Sequence, residues 1–533
     1  MSPDAQLYTL LLRGQQKLSA QTPKYKKACE GCNHHSPFLD VPSVLLAPWF
    51  RISEFVDRMT GGNQILTTNT KPGMRSTVIG HEAPKANIAK RWRELQGANN
   101  WADLLSPLDL DLRREILRYG DFVHVTSDTF PYEKKSKHPW ACPIKKSELL
   151  SNTSHDVTGY EVTRYLYSHL HGRKDEIQEV NWIGYVAVTV DPEEISRLGR
   201  RDIVVVWRGT VTDIEWQQDA LFSQIQPTSI NGNTVPKDVL VSRGFWGAFA
   251  DFDPAKSVFG INGSAGKQAT EEVKRLIQKY AGEQLSITCL GHSLGGALAT
   301  CCAYQIAEAN INKSASRTII PITAFTYASP RVGNVAFRER FKTLGVKVLR
   351  IASNQDIVPC LPVGDDDDSN PIIPNVKMEV EHTAKKIHIG DVLGFLVDKL
   401  NDAILPDDYT HVGVTLALDF RKSPCLKQPG KWIDLNSVEN LHRYHNLEGY
   451  LHLVNGVFGG AKGDLKKPFK PVVIRDLAPI NKRSDLLADT YAKNVPENWW
   501  RLQRHTGLER NQDGFWEFPE VHGDIKKPNP DFD

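Results

Sequence analysis

Residues 286–300 read SITCLGHSLGGALAT, a stretch that sets one serine between two glycines where the sequence pattern changes. The residues before Ser293 form an apolar run typical of a buried strand, and the small residues after it favour a helix. Gly291 and Gly295 complete the pattern G-x-S-x-G, in which a strained strand-to-helix turn presents the serine hydroxyl at the edge of a sheet. This context favours a nucleophilic serine over a turn that needs glycine only for backbone freedom.

The surrounding sequence predicts an α/β fold with a largely parallel central sheet flanked by helices. From WIGYVAVTV (182–190) to VKVLRIAS (346–353), apolar strand-like segments alternate with helical ones, which argues for right-handed crossovers. The run DIVVVWRGT (202–210) lacks alternation, so we expect that strand to be buried on both faces. With the G-x-S-x-G turn, this pattern is typical of an α/β-hydrolase.

We predict three parts along the chain: an irregular leader over 1–85, the α/β domain over 86–480 and a C-terminal extension over 481–533. At the start of the domain, apolar residues spaced for a helical face predict a helix across 92–105. A second helix is predicted to start at Ser106-Pro107, because proline favours the first helical turn.

Composition excludes several classes of function. The 533 residues carry a formal net charge of +2, which gives no reason to expect a nucleic-acid partner. No apolar run approaches the roughly 18 residues of a membrane-spanning helix. Cys29 and Cys32 form a C-x-x-C pair without a second well-spaced ligand pair, and the acidic run over 364–370 is typical of a solvated loop. We therefore predict no metal site, and hydrolysis by a nucleophilic serine needs no cofactor.

A serine hydroxyl needs a base and an orienting acid, which in this type of sheet follow in the order Ser, Asp/Glu, His. Asp356 comes directly after the strand-like run VKVLRIAS, at the sheet edge where active sites of open α/β sheets gather. The alternative is a loop aspartate that caps a turn before Pro359. The amide of Leu294, at the start of the predicted helix, is a candidate oxyanion donor.

The base is harder to choose from the residues alone. The histidine candidates in the second half of the chain are His411, His442, His445 and His452. His452 falls on a predicted helix, where packing against its face explains it better. Spacing favours His445 only slightly over His442.

Six blocks of sequence together resemble one enzyme family. They are VVVWRGTVTDIEWQQD, ITCLGHSLGGALA, FTYASPRVGN, VLRIASNQDIVP, THVGVTLALD and HNLEGYLHLVNG. The chain is similar, from about Trp92 to its tail, to the class 3 lipases and within them to plant phospholipase A1 enzymes of the chloroplast-type branch. The resemblance implies that His445 is the base and Asp356 the orienting acid. It also implies that Thr210 is the second oxyanion donor.

The same resemblance implies a lid after Thr210, with Ile214 and Trp216 as residues that contact lipid; the alternative for Trp216 is a core position. It implies a serine acylhydrolase that releases fatty acid from the sn-1 position of glycerolipids at a membrane or lipid-droplet surface. A galactolipase or triacylglycerol lipase is the nearest alternative, and a catalytically silent lipase-like scaffold is another. The expected location is the chloroplast, with the cytoplasm as the alternative.

Overall fold

The computed structural model describes the following residues: 87–130, 141–142, 144–151, 157–171, 177–211, 222–229, 234–257, 260–313, 318–362, 409–429, 443–457, 470–473, 475, 477–481, 485–492, 509–510 and 516–517. The predicted leader over 1–85 lies outside these ranges. The predicted division of the chain into three parts stays a prediction.

The described strands fall into one large sheet, one small sheet and two short ribbons. Their bounds are β1 Tyr160–His171, β2 Ile177–Thr189, β3 Arg201–Trp207, β4 Gln224–Ile225, β5 Val241–Ser242, β6 Leu285–His292, β7 Ile322–Tyr327, β8 Gly333–Asn334, β9 Lys347–Ser353, β10 Tyr409–Thr410, β11 Val414–Leu418, β12 Gly456–Val457, β13 Lys470–Pro471, β14 Glu509–Arg510 and β15 Trp516–Glu517.

The large sheet has the order β1-β2-β3-β6-β7-β9-β11. Strands β3, β6, β7, β9 and β11 run parallel to one another, whereas β1 and β2 join the edge as an antiparallel pair. The predicted largely parallel sheet is confirmed. Because β3, β6, β7 and β9 are consecutive and parallel, the loops that follow them emerge at one edge of the sheet.

Helices cover both faces of this sheet. Their bounds are α1 Trp92–Leu95, α2 Leu110–Asp128, α3 Pro192–Leu198, α4 Arg243–Ala250, α5 Ala265–Lys279, α6 Leu294–Glu308, α7 Val335–Leu344, α8 Leu447–Asn455 and α9 Asp489–Ala492. One apolar cluster packs α2 and α8 against the sheet, and the other packs α4, α5, α6 and α7 against the opposite face.

Strand β3 shows why its sequence does not alternate. Val204 and Val206 belong to the cluster under α2 and α8, while Ile203 and Val205 belong to the cluster on the other face. All four side chains are fully buried. A strand with helices on both faces has no polar side, so the expectation of burial on both faces is confirmed.

The C-terminal part of the described chain packs beside α8. Leu486 and Leu487 are fully buried in the same apolar cluster as that helix. Leu487 forms a β-bridge with Leu426, and the carbonyl of Ile480 accepts a hydrogen bond of 2.7 Å from Asn446 Nδ2. Among the residues that the structure describes, no helix combines the length and apolar character needed to cross a membrane.

Candidate active site

Ser293 lies at the junction of β6 and α6, where the chain reverses sharply. Its backbone has φ 59° and ψ −129°, a left-handed conformation that L-residues rarely adopt. The Ser293 amide donates to the carbonyl of Tyr327 at 3.0 Å, and the Ser293 carbonyl accepts from the Gly296 amide at 2.9 Å. The strained turn is therefore held by β7 on one side and by the first turn of α6 on the other.

The two flanking glycines are required by close backbone contacts. A Cβ atom at Gly291 would lie 2.0 Å from the carbonyl oxygen of Gly295. One at Gly295 would lie 2.3 Å from the carbonyl oxygen of Trp207 in β3. No other residue fits at either position without moving backbone. The pattern G-x-S-x-G therefore has a steric cause here.

Asp356 lies in the loop after β9 and is only 2% exposed. Its Oδ1 accepts the amide of Val358 at 3.0 Å, and its Oδ2 is 2.7 Å from Nδ1 of His445 and 2.8 Å from the hydroxyl of Tyr450. Within the described part of the chain, every hydrogen-bond partner of this carboxylate is able to donate. The carboxylate can therefore serve as an acceptor on both oxygens.

His445 immediately precedes Asn446, the N-cap of α8, and is buried. Since Nδ1 faces the Asp356 carboxylate, it carries the proton of the neutral ring, which leaves the lone pair on Nε2. His445 Nε2 is buried and has no hydrogen-bond partner among the described residues. The imidazole thus has one nitrogen anchored and one available to take a proton.

The ring of His292 contacts this imidazole at the G-x-S-x-G turn of residues 291–295, the nucleophile elbow. The centroids of the His292 and His445 rings are 4.6 Å apart, with 32° between the ring planes. His292 directly precedes Ser293. The contact therefore places His445 beside the turn that carries the serine, although the two residues are far apart in sequence.

The structure separates His445 from the other histidine candidates. His411 Nε2 lies 2.7 Å from the carbonyl oxygen of Pro359, and burial holds the pKa of His411 well below its usual value. His452 Nε2 lies 2.7 Å from the hydroxyl of Ser423, and burial lowers the pKa of His452 to about 4. Both rings therefore bond to partners other than Asp356. His442 lies outside the described residues.

Thr210 and Leu294 lie in the segments that follow the neighbouring strands β3 and β6. Trp207 pairs with Gly291 in the sheet, so the residues after β3 and β6 emerge side by side. A Cβ atom at Gly209 would lie 3.6 Å from Ser293 Cβ, which brings the chain just before Thr210 close to the elbow. Leu294 is the first residue of α6, so its amide has no carbonyl partner within the helix. Ile214 and Trp216 lie outside the described residues.

Two further residues hold the loop that carries Asp356, and the sequence analysis did not find them. The Arg331 guanidinium donates to the carbonyl of Pro362 at 2.9 Å and to that of Cys360. The Arg331 amide donates to Leu361 at 2.7 Å. Tyr450, five residues beyond His445, contacts Asp356 directly. The only sequence signals for these residues were their places in the blocks FTYASPRVGN and HNLEGYLHLVNG.

No metal centre forms among the described residues: no group of three or more His, Cys, Asp or Glu side chains is placed to hold an ion. Cys29, Cys32 and the acidic run over 364–370 lie outside the described residues. The groups assembled at the elbow are a hydroxyl, an imidazole and a carboxylate, which is the set used for acyl transfer through a covalent intermediate.

Comparison with known protein families matches one segment of the chain. The model of the family Lipase (class 3) matches residues 204–365, which include Thr210, Ser293 and Asp356. His445 lies beyond the matched segment. A largely parallel sheet with this strand-to-helix serine turn confirms the predicted α/β-hydrolase fold.

Proteins related over most of their length extend the match to the rest of the chain. Phospholipase A1-Igamma3, chloroplastic, of Arabidopsis thaliana is 38% identical over 451 residues, covering 81% of this chain and 78% of the relative. Phospholipase A1-II 4 of Oryza sativa subsp. japonica is 35% identical, covering 83% of this chain and 98% of the relative. Galactolipase DONGLE, chloroplastic, of Arabidopsis thaliana is 37% identical, covering 69% and 70%. The chain therefore belongs to the class 3 lipase family, among the plant phospholipase A1 proteins.

Proposed function

We propose that this protein is a serine acylhydrolase that releases fatty acid from the sn-1 position of glycerolipids, with Ser293, His445 and Asp356 as its catalytic residues. The observation that carries the proposal is the pairing of His445 Nδ1 with Asp356 Oδ2 at 2.7 Å, while Nε2 of the same ring stays without a partner among the described residues. A ring held in this way beside a strained serine is prepared to act as a general base.

The reaction takes two steps at one ester carbonyl. Ser293 Oγ attacks the carbonyl carbon as His445 Nε2 takes its proton, and Asp356 stabilises the imidazolium that forms. The negative oxygen is stabilised by the Leu294 amide and by Thr210. His445 then gives the proton to the departing glycerolipid oxygen, which leaves the acyl group on Ser293. Water, activated by the same imidazole, releases the fatty acid.

The oxyanion donors supply much of the rate. Loss of one such donor typically costs about 3 kcal/mol of transition-state stabilisation, or roughly a hundredfold in rate. The Leu294 amide also lies at the positive end of the α6 helix dipole, which favours negative charge there. Gly295 contributes by allowing the backbone approach that leaves this helix end next to β3, and Gly291 by allowing the close approach of the Gly295 carbonyl.

The relatives are named phospholipase A1 and galactolipase, which supports a lipid substrate for this protein. The two names also support activity on lipids with more than one kind of head group. Phosphatidylcholine, galactolipids and triacylglycerol are the proposed substrates. We propose that the enzyme binds a membrane or lipid-droplet surface, with Ile214 and Trp216 in a lid that contacts lipid. Relatives named chloroplastic support a chloroplast location.

The test is product analysis on phosphatidylcholine, a galactolipid and triacylglycerol, each with different acyl chains at sn-1 and sn-2. The full chain should release the sn-1 fatty acid, and Ser293→Ala should release none. The matched control is Ser329→Ala, a buried serine that contacts the same helix at Gly296. Its hydroxyl donates to Pro330, so activity should persist. Equal release by Ser293→Ala, or preferential sn-2 release by the wild type, would contradict the proposal.

A further inference from the structure

The Asp356 carboxylate has a second side-chain contact, which the reaction described above does not use. The Tyr450 hydroxyl lies 2.8 Å from Asp356 Oδ2, the same oxygen that faces His445 Nδ1 at 2.7 Å. Tyr450 is fully buried on α8, the helix that begins just after His445. One helix end thus supplies both side chains that contact this oxygen.

The hydrogen on the Tyr450 hydroxyl has a fixed direction. The amide of Ser353 donates to the Tyr450 oxygen at 3.2 Å, so the phenol accepts on that side and has its own hydrogen left for Asp356. Burial, followed by the nearby Asp356 charge, raises the pKa of Tyr450 well above its usual value. The phenol therefore stays protonated and acts as a donor throughout the working pH range.

Two donors on one oxygen divide its negative charge. The phenol takes part of the charge that would otherwise act on the His445 imidazole alone, and the Val358 amide fixes Oδ1. Loss of the phenol hydrogen would leave a carboxylate that is freer to rotate. It would also leave more charge facing the imidazolium, so that His445 would hold its proton more tightly.

Within the described chain, the other charged groups that contact α8 have partners elsewhere: Arg113 of α2, for example, donates to the carbonyls of Val454 and Gly456. On the same helix, Glu448 pairs with His124 and Arg475, and His452 bonds to Ser423. Among the described residues, the titratable groups identified around the contact are Asp356 and His445 themselves, His292, whose ring contacts His445, and Cys360, whose charge would act on Tyr450. The carboxylate and phenol are therefore the groups that tune the imidazole from the side of Nδ1.

We propose that Tyr450 is a positioning residue for the proposed reaction, which fixes the Asp356 carboxylate and thereby sets the orientation and basicity of His445. The inference rests on the proposed function. The phenol touches neither substrate nor the reacting atoms, and it acts through Asp356.

The first test compares Tyr450→Phe with the matched control Tyr444→Phe in the full chain. Both rings pack edge-on against Phe420, with centroid distances of 5.9 and 5.3 Å. The Tyr444 hydroxyl interacts with Arg443. Steady-state kinetics on a soluble ester should give about a tenfold lower kcat for Tyr450→Phe with KM unchanged. The acid limb of its kcat/KM profile should move to higher pH by about half a unit or more. Tyr444→Phe should stay within about twofold of wild type at every pH.

A second variant changes the donor in the opposite direction. 3-Fluorotyrosine inserted at position 450 keeps the hydroxyl and makes it a stronger donor, so the acid limb should move to lower pH. If Tyr450 had a purely structural role, its substitution would lower Tm and leave the acid and alkaline limbs of the kcat/KM profile at their wild-type pH. If Tyr450→Phe and the fluorinated protein both keep the wild-type profile, the positioning role is refuted. Failure of the proposed function is distinct, because the wild-type chain would then release no fatty acid and Ser293 would not react with a fluorophosphonate.

Discussion

His445 Nδ1 and Asp356 Oδ2 lie 2.7 Å apart although the two residues are 89 positions apart in the chain. The Val358 amide holds Asp356 in the loop after β9. His445 lies just before α8, a helix that shares an apolar cluster with β9. This pairing decides which histidine can work with Ser293. It also means that the Asp356 carboxylate fixes the orientation of the His445 imidazole.

Asp356→Asn should remove this control while leaving the local shape intact. An amide in place of the carboxylate favours the wrong tautomer of His445, so kcat should fall by about 10³–10⁴-fold. Asp419→Asn is the matched control, because Asp419 also follows a parallel strand, β11, and bonds to Gln355 and Arg421. That variant should keep near wild-type kcat. Comparable losses for the two variants would remove Asp356 from the catalytic set.

Substitutions at Thr210 test whether its hydroxyl stabilises the oxyanion. Thr210→Val keeps the shape and removes the hydroxyl, so kcat should drop by about a hundredfold with little change in KM. Thr210→Ser retains the hydroxyl and should stay within a few-fold of wild type. Steady-state hydrolysis of a soluble ester measures kcat and KM for the two variants. Equal kcat for the two variants would restrict the role of Thr210 to its backbone.

Gly295→Ala should damage the fold as well as the site. The new methyl would meet the Trp207 carbonyl at 2.3 Å, so β3 and α6 would have to separate. We expect a loss of about 3 kcal/mol or more in the free energy of unfolding, measured with urea. Gly345→Ala is the control: Gly345 has φ 70° with no atom near its Cβ position, so the loss should be about 1 kcal/mol. Similar losses would contradict the steric account of the elbow.

Because the His452 ring is buried, we expect the protein to lose stability in mild acid. Its pKa falls from 6.5 to about 4 in the fold because burial disfavours the charged ring. The unfolded chain therefore binds a proton first, so this stability is present above about pH 6.5 and is lost as pH falls toward 4. The difference corresponds to roughly 3 kcal/mol. His452→Gln should flatten the dependence of unfolding free energy on pH between 6.5 and 4. An unchanged slope would contradict a buried neutral ring.

The sequence carries much of the fold because its patterns are local. The apolar run before Ser293, the small residues after it and the unalternating strand β3 each reflect burial that is visible within a few residues. The position of Asp356 was also predictable, since loops after parallel strands gather at one sheet edge.

Local patterns could not predict contacts between residues far apart in the chain, nor the exact ends of helices. Spacing could not separate His445 from His442, because the choice depends on how α8 packs beside β9. The helix predicted across 92–105 ends at Leu95, and the chain beyond it takes positive φ at Gly97, Asn100, Trp101 and Asp103, which a continued helix does not allow. The helix predicted from Ser106 begins at Leu110, because the Asp109 side chain caps the amides of Asp111 and Leu112. The Tyr450 contact has no local signature at all.

The claim that most of the account depends on is that the Ser293 hydroxyl is a nucleophile activated by His445. Its most direct measurement is peptide mass spectrometry of the full chain after reaction with a fluorophosphonate. We predict a single phosphonyl adduct on Ser293, which is lost in Ser293→Ala and strongly slowed in His445→Ala. An adduct on another residue, or an unmodified Ser293 in a protein that still releases fatty acid, would contradict it.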